Sequence, residues 1–135
     1  MAYGDVGGAV TELVVTCRTP ASGAVNIAAG DAVKLTGAYT VDNATADEDA
    51  VFGQALADAD ANNVAIPVKV RGICVFSYAG TAPTVDGVKG IVASATDGKV
   101  KTPASGNGQG VNVKVDTGAA QVHGSVVRKA IAGWT

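Results

Sequence analysis

The stretch whose reading decides the fold is Val64-Ala-Ile-Pro-Val-Lys-Val-Arg-Gly-Ile-Cys-Val-Phe-Ser-Tyr78. Its even positions are Val64, Ile66, Val68, Val70, Gly72, Cys74, Phe76 and Tyr78, and its odd positions open with Ala65, Pro67, Lys69 and Arg71. Side chains along a strand point alternately to opposite faces, so this pattern sets one face of a strand against a core. At about 3.3 Å per residue the stretch would span about 50 Å, which is long for a small domain. A bend is therefore expected, and Gly72 is the natural place for it. Beyond Gly72 the odd face becomes apolar too, with Ile73 and Val75. The stretch thus reads as half-exposed at first, with Lys69 and Arg71 facing solvent or a partner, and as covered on both sides at its end. The second cover can come from the same chain or from a neighbouring subunit. Pro67 cannot donate to a ladder and points to a sheet edge or a bulge, where it would blunt unwanted pairing.

Outward from this stretch the chain reads as short strands between turns. Upstream, Val10 to Arg18 alternates, with Leu13, Val15 and Cys17 on one face; Asp31 to Gly37 sets Val33 and Leu35 inward and Lys34 outward, and Tyr39 to Val41 can extend it. Asp42 to Ala50, with Asp47, Glu48 and Asp49 in a row, reads as a solvated loop. Val51 to Leu56 is a short strand or the start of one helical turn, and together with 64–78 it looks like a hairpin with a long loop. Downstream, Asp86-Gly87 suits a type I′ turn, and Asp97-Gly98 joins Ile91–Ser94 to Lys99–Thr102 as a hairpin. Pro103 to Gly108 reads as a mobile loop, Val111 to Asp116 alternates, and Val122 to Val127 is a last strand before the tail Ala130–Trp134. There is no repeat and no amphipathic helix longer than about two turns. The fold class is therefore all-β, a small β-sandwich or barrel, jelly-roll-like or β-tulip-like, with little helix. Residues 10–135 form one domain, and the Gly-rich residues 1–9 form a flexible arm.

Composition narrows the function. Apolar residues make up 47% of the 135 positions and aromatics only 4%, so the core is built from small side chains. Eighteen glycines suit tight turns, and a charged fraction of 16% suits a surface covered by a partner or by copies of itself. The net charge is −2 and the basic residues form no run, whereas a nucleic-acid binder needs a basic patch. No apolar run is long enough to span a membrane as a helix. The N-terminus carries neither the basic nor the apolar region of a signal peptide, which implies synthesis in a cytoplasm. Cys17 and Cys74 each fall on the apolar phase of a strand and read as two buried, reduced thiols, ahead of a disulfide or a metal pair.

Each candidate site has a plainer reading. Asp58-x-Asp60-x-Asn62 opens like a calcium loop, but Asn63 stands where the sharp turn needs Gly and Lys69 where a bidentate Glu is needed. Gly106-x-Gly108-x-Gly110 precedes a strand instead of a helix N-terminus, so these are turn glycines and not a dinucleotide loop. His123, the sole histidine, lies on the polar phase of the last strand, and no strained Ser elbow accompanies it. It reads as a surface or interface residue. A lone Trp near a chain end docks on something apolar, so Trp134 reads as packing on its own domain or on a neighbour. Asn43-Ala-Thr45 matches a glycosylation sequon that means little without a secretory signal. No catalytic, cofactor-binding or metal residue is assigned, and no enzyme activity is expected.

Two segments are shared with a known group. Asp49-Ala-Val-Phe-Gly-Gln-Ala-Leu56 leads into Ile66-Pro-Val-Lys-Val-Arg-Gly-Ile73, and Gly108-Gln-Gly-Val-Asn-Val-Lys-Val115 follows later. Over roughly residues 30–116 the chain resembles the capsid decoration (cement) proteins of tailed bacteriophages, in which a G-x-A-L strand precedes a long V-x-V-x-G strand and a Gly-rich second half. The resemblance implies a non-catalytic protein on the outer capsid surface that clamps neighbouring major capsid protein subunits. It also implies self-association, as a homotrimer first and a homodimer second. The segment before Val10 is similar to the arms such proteins lay on the shell, which points to Tyr3, Asp5 and Val6 as shell contacts. Lys69, Arg71, His123 and Trp134 are then the candidates for an interface. Other structural virion parts, such as a fibre, spike or tail module, and a small ligand-binding β-barrel are the alternatives.

Overall fold

The computed structural model describes residues 12–85 and 89–125. The N-terminal arm with Tyr3, Asp5 and Val6, the Asp86-Gly87 turn, the end of the last expected strand and the tail with Trp134 lie outside the described residues. Ten strands and no helix occur among the described residues: β1 (Leu13–Arg18), β2 (Ala32–Gly37), β3 (Thr40–Asn43), β4 (Gly53–Ala55), β5 (Ala65–Arg71), β6 (Ile73–Ser77), β7 (Val92–Ala93), β8 (Val100–Lys101), β9 (Asn112–Asp116) and β10 (Gln121–Ser125).

Gly72 breaks the deciding stretch into β5 and β6, with φ of +112°, a backbone setting that L side chains rarely adopt. The two halves then enter different sheets. β5 closes a five-stranded barrel in the order β1-β3-β2-β4-β5, whereas β6 is an edge of a three-stranded sheet, β6-β10-β9. β1 runs antiparallel to β5, with Cys17 opposite Ile66, and meets β3 in parallel at Arg18 and Thr40. The expected hairpin of 51–56 with the long stretch is present as β4 against β5, with Gln54 opposite Lys69. The Asp97-Gly98 hairpin is present as β7 against β8.

There are two cores. Cys17, Val25, Ile27, Val33, Val41, Ala55, Ala59, Ile66 and Val68 fill the barrel. Its interior is narrow, and the Ala- and Val-rich composition matches that width. Ala32, Ala44, Val51, Cys74, Phe76, Tyr78, Ile91, Ala93, Val100 and Val122 form the second core. Strand alternation makes β2 a shared wall, because Val33 points into the barrel while Ala32 points into the second core. Two buried glutamines staple the layers. The Gln54 amide donates to the carbonyls of Val75 (2.6 Å) and Gly30 (3.3 Å). The Gln109 amide group accepts from the N–H of Val51 and donates to its carbonyl (2.7 Å). Buried polar groups must find partners, and these two find them on backbone that no ladder satisfies.

Four sequence expectations are corrected or narrowed. Leu35 shares the phase of Val33 but is 50% exposed, because β2 runs to the barrel rim and its register slips between Leu35 and Gly37. Ile73 is 45% exposed and Val75 half-buried, so among the described residues the same chain does not supply the second cover, which leaves a neighbouring subunit as the expected source. Pro67 is not on an edge: it pairs with Thr16 of β1. On its other side Leu56, just past β4, donates to the Pro67 carbonyl. The N–H and C=O of one strand residue point the same way, so the missing donor faces the place where the β4 ladder ends. Finally, the acidic segment is not all loop, since Asn43 and Ala44 are buried and the Asn43 amide donates to the Asn26 carbonyl at 2.6 Å. The sequon asparagine is thus part of the packing.

Candidate interaction surface

The residues read as candidate ligands serve the fold. Asp58 Oδ1 accepts from the N–H of Ala29 (2.7 Å), and the Asn62 amide donates to the carbonyls of Pro20 and Gly23. Asp31 accepts from Ala28, and burial pushes its carboxyl above the usual range, with Asp97 and Asp58 nearby adding to the effect. Gly106 and Gly110 have φ of +67°, as turn glycines do, and a side chain on Gly108 or Gly110 would run into the carbonyls of Ile91 or Ser125. No group of three or more His, Cys, Asp or Glu among the described residues could hold a metal. Cys17 and Cys74 are free thiols in separate cores. Burial pushes both thiols up, Cys74 to about 11.

What the surface offers is exposed apolar side chains around one junction. Leu13 of β1 lies opposite Arg71, and Glu12 packs against Gly72. Ile73 lies opposite Ser125, whose N–H donates to the carbonyl of Val111. Leu13, Ile73, Val111 and the bulged Val113 are all 40–51% exposed. The described residues begin at Glu12 and end at Ser125, both at this junction.

The four interface candidates fare differently. Lys69 is held within the chain: its ammonium pairs with Glu12 at 2.8 Å and donates to the Ile73 carbonyl at 2.8 Å, leaving the side chain 14% exposed. These two contacts brace the Gly72 bend from within the chain. Arg71 is exposed at the barrel rim. His123 is half-buried on the outer face of the three-stranded sheet, between Val75 and Lys114. The topology therefore places Lys69, Arg71 and His123 around the same junction, while Trp134 is outside the described residues. The exposed Leu13, Val111 and Val113 were missed as surface residues, because alternation alone assigns them to cores.

A second contact cluster lies on the β8 side. Lys101 pairs with Asp47 (3.0 Å) and Glu48 (3.5 Å), and Glu48 Oε1 accepts from the N–H of Ala104. These bonds tie the acidic segment to the 103–110 loop.

No family model matches the chain, and no curated protein matches it in sequence. Its likeness is to a solved structure of the same fold class, a small all-β domain: the head fiber gp8.5 N base in bacteriophage phi29. The two agree with a TM-score of 0.60 over 90% of this chain and 98% of that one, at 13% sequence identity.

Proposed function

We propose that this chain is a structural protein of a bacteriophage virion, held on the outside of the head, where it binds the major capsid protein and cements neighbouring subunits. The observation that carries the reading is the end-to-end likeness to a head-fibre base, which covers 90% of this chain and 98% of that one. The small double core and the exposed apolar junction suit a clamp. Its work is binding, not catalysis. Whatever binds only the mature lattice stabilises it by mass action, by about 2.7 kcal/mol per site at a hundredfold excess over Kd. Partners are the major capsid protein and further copies of the chain; the protein is made in the host cytoplasm and ends in the virion.

The same observation favours a second reading, in which the domain is the base of a fibre on the head. Purified mature heads lacking the protein test the first. Saturable binding of the added protein, with a gain in heat resistance of the heads, is the outcome of the cement reading. Saturable binding without that gain is the outcome of the fibre-base reading, and no binding removes both.

A further inference from the structure

We propose that the outer edge of β9 pairs antiparallel with β9 of a second copy, about a two-fold axis at Val115. β9 is the last strand of the β6-β10-β9 sheet, and among the described residues no backbone bond reaches it from outside. The direction of its free groups follows from the register. Ser125 donates its N–H to the Val111 carbonyl, so the odd residues of β10 turn their backbone groups toward β9. Their partners, Lys114 opposite His123 and Asp116 opposite Gln121, therefore turn inward, and Val115 between them turns N–H and C=O outward, while Val113 sits at the bulge where this alternation breaks.

Few self-pairings are compatible with these groups. An axis at Lys114 sets two ammonium groups directly opposite each other, which is destabilising. An axis at Val113 brings in Val111, whose carbonyl is already used by Ser125. An axis at Val115 makes Val115 a bonded pair with its own copy. It then sets Lys114 across from Asp116 of the second copy, twice. Lys114 is exposed. Asp116 Oδ1 is occupied by the N–H groups of Gly118 and Ala119, both at 3.1 Å, which leaves Oδ2 for the incoming ammonium. Such non-bonded pairs bring Cα atoms to about 4.5 Å. The edge is thus self-complementary in both backbone and charge, which favours a second copy over a foreign strand. An isologous contact of this kind closes after two subunits, so the homodimer and not the homotrimer is the self-association it produces.

The test uses the full chain in sedimentation and in crosslinking. The wild type is expected to be a concentration-dependent dimer. Val115→Pro removes the outward N–H and also trims a side chain packed against the second core, so the fold is checked first by circular dichroism, and the folded variant should sediment as a monomer. Lys114→Asp should weaken association about fivefold, and Lys114→Asp with Asp116→Lys should restore it. A mixture of Lys114→Cys and Asp116→Cys chains should form a disulfide dimer under mild oxidation. Neither variant should do so alone, because like positions lie about 8 Å apart across the axis, beyond disulfide reach. A wild-type trimer, a dimer that survives Val115→Pro, or equal crosslinking of a single variant overturns the proposal. A wild-type monomer whose binding to heads is lost in Val115→Pro also overturns it, and assigns the edge to the shell protein.

Discussion

Replacing Gly72 with Ala probes the point where one continuous alternating stretch is divided between two sheets. The residue sits at φ of +112°, where a Cβ is strained by about 1–3 kcal/mol. The added methyl would also lie 2.9 Å from Glu12 Cγ and 3.1 Å from Lys69 Cε. Glu12 is half-exposed and can swing away, so the steric part is small, but moving it loosens its pair with Lys69. The sum is about 2 kcal/mol, or a fall in Tm of about 6–8 °C for a chain of this size. Thermal unfolding followed by circular dichroism measures it. Gly37→Ala is the control, since its Cβ would meet only Thr40 at an ordinary 3.7 Å and should change Tm by little. Adding Glu12→Ala to Gly72→Ala should recover little, because the backbone term dominates. A Gly72→Ala protein as stable as wild type would refute the argument that a positive φ at this position holds the break.

Other perturbations have defined outcomes. Gln109→Leu leaves the N–H and carbonyl of the buried Val51 without their partner and should cost about 2–4 kcal/mol in urea unfolding. Phe76→Ala, at a side chain 1% exposed in the second core, should cost about 3–5 kcal/mol in the same assay. Neither native thiol should react with a thiol reagent at neutral pH until the chain unfolds, because both are buried and neutral. The folded Cys74 thiol holds its proton to about 11, above the ordinary 9.0, so its contribution is complete below pH 9. Stability should then fall between pH 9 and 11, by up to about 3 kcal/mol, and Cys74→Ala should flatten that slope.

The alternation of Val64 to Tyr78 was enough to read a bent strand and an all-β fold, because burial of one face imposes period two and only glycine serves at such a bend. It was not enough to show that the two halves line different cores. Ile66 and Val68 enter the barrel while Cys74 and Phe76 enter the second core, and all four look alike in sequence. Leu35 and Ile73 lie exposed on this chain because alternation reports phase and not where a barrel rim or a sheet ends. Gln54 and Gln109 were invisible as staples: a polar residue within a strand or loop reads as surface, and only the tertiary fold brings each to unpaired backbone. Alternation turns Lys69 toward solvent or a partner, and it does not reveal the ion pair with Glu12, far away in sequence. Of the candidate interface residues Lys69, Arg71, His123 and Trp134, periodicity gives only the face of a strand, while the junction near Arg71 follows from pairings such as β1 with β5, which single-chain periodicity does not encode.

The central claim is position on the virion, and an imaging reconstruction of the intact particle tests it most directly. The account predicts density matching this barrel and its three-stranded sheet on the outer surface of the head, seated against neighbouring major capsid protein subunits. Density of this shape in the tail or inside the shell, or a particle lacking it altogether, would contradict the account.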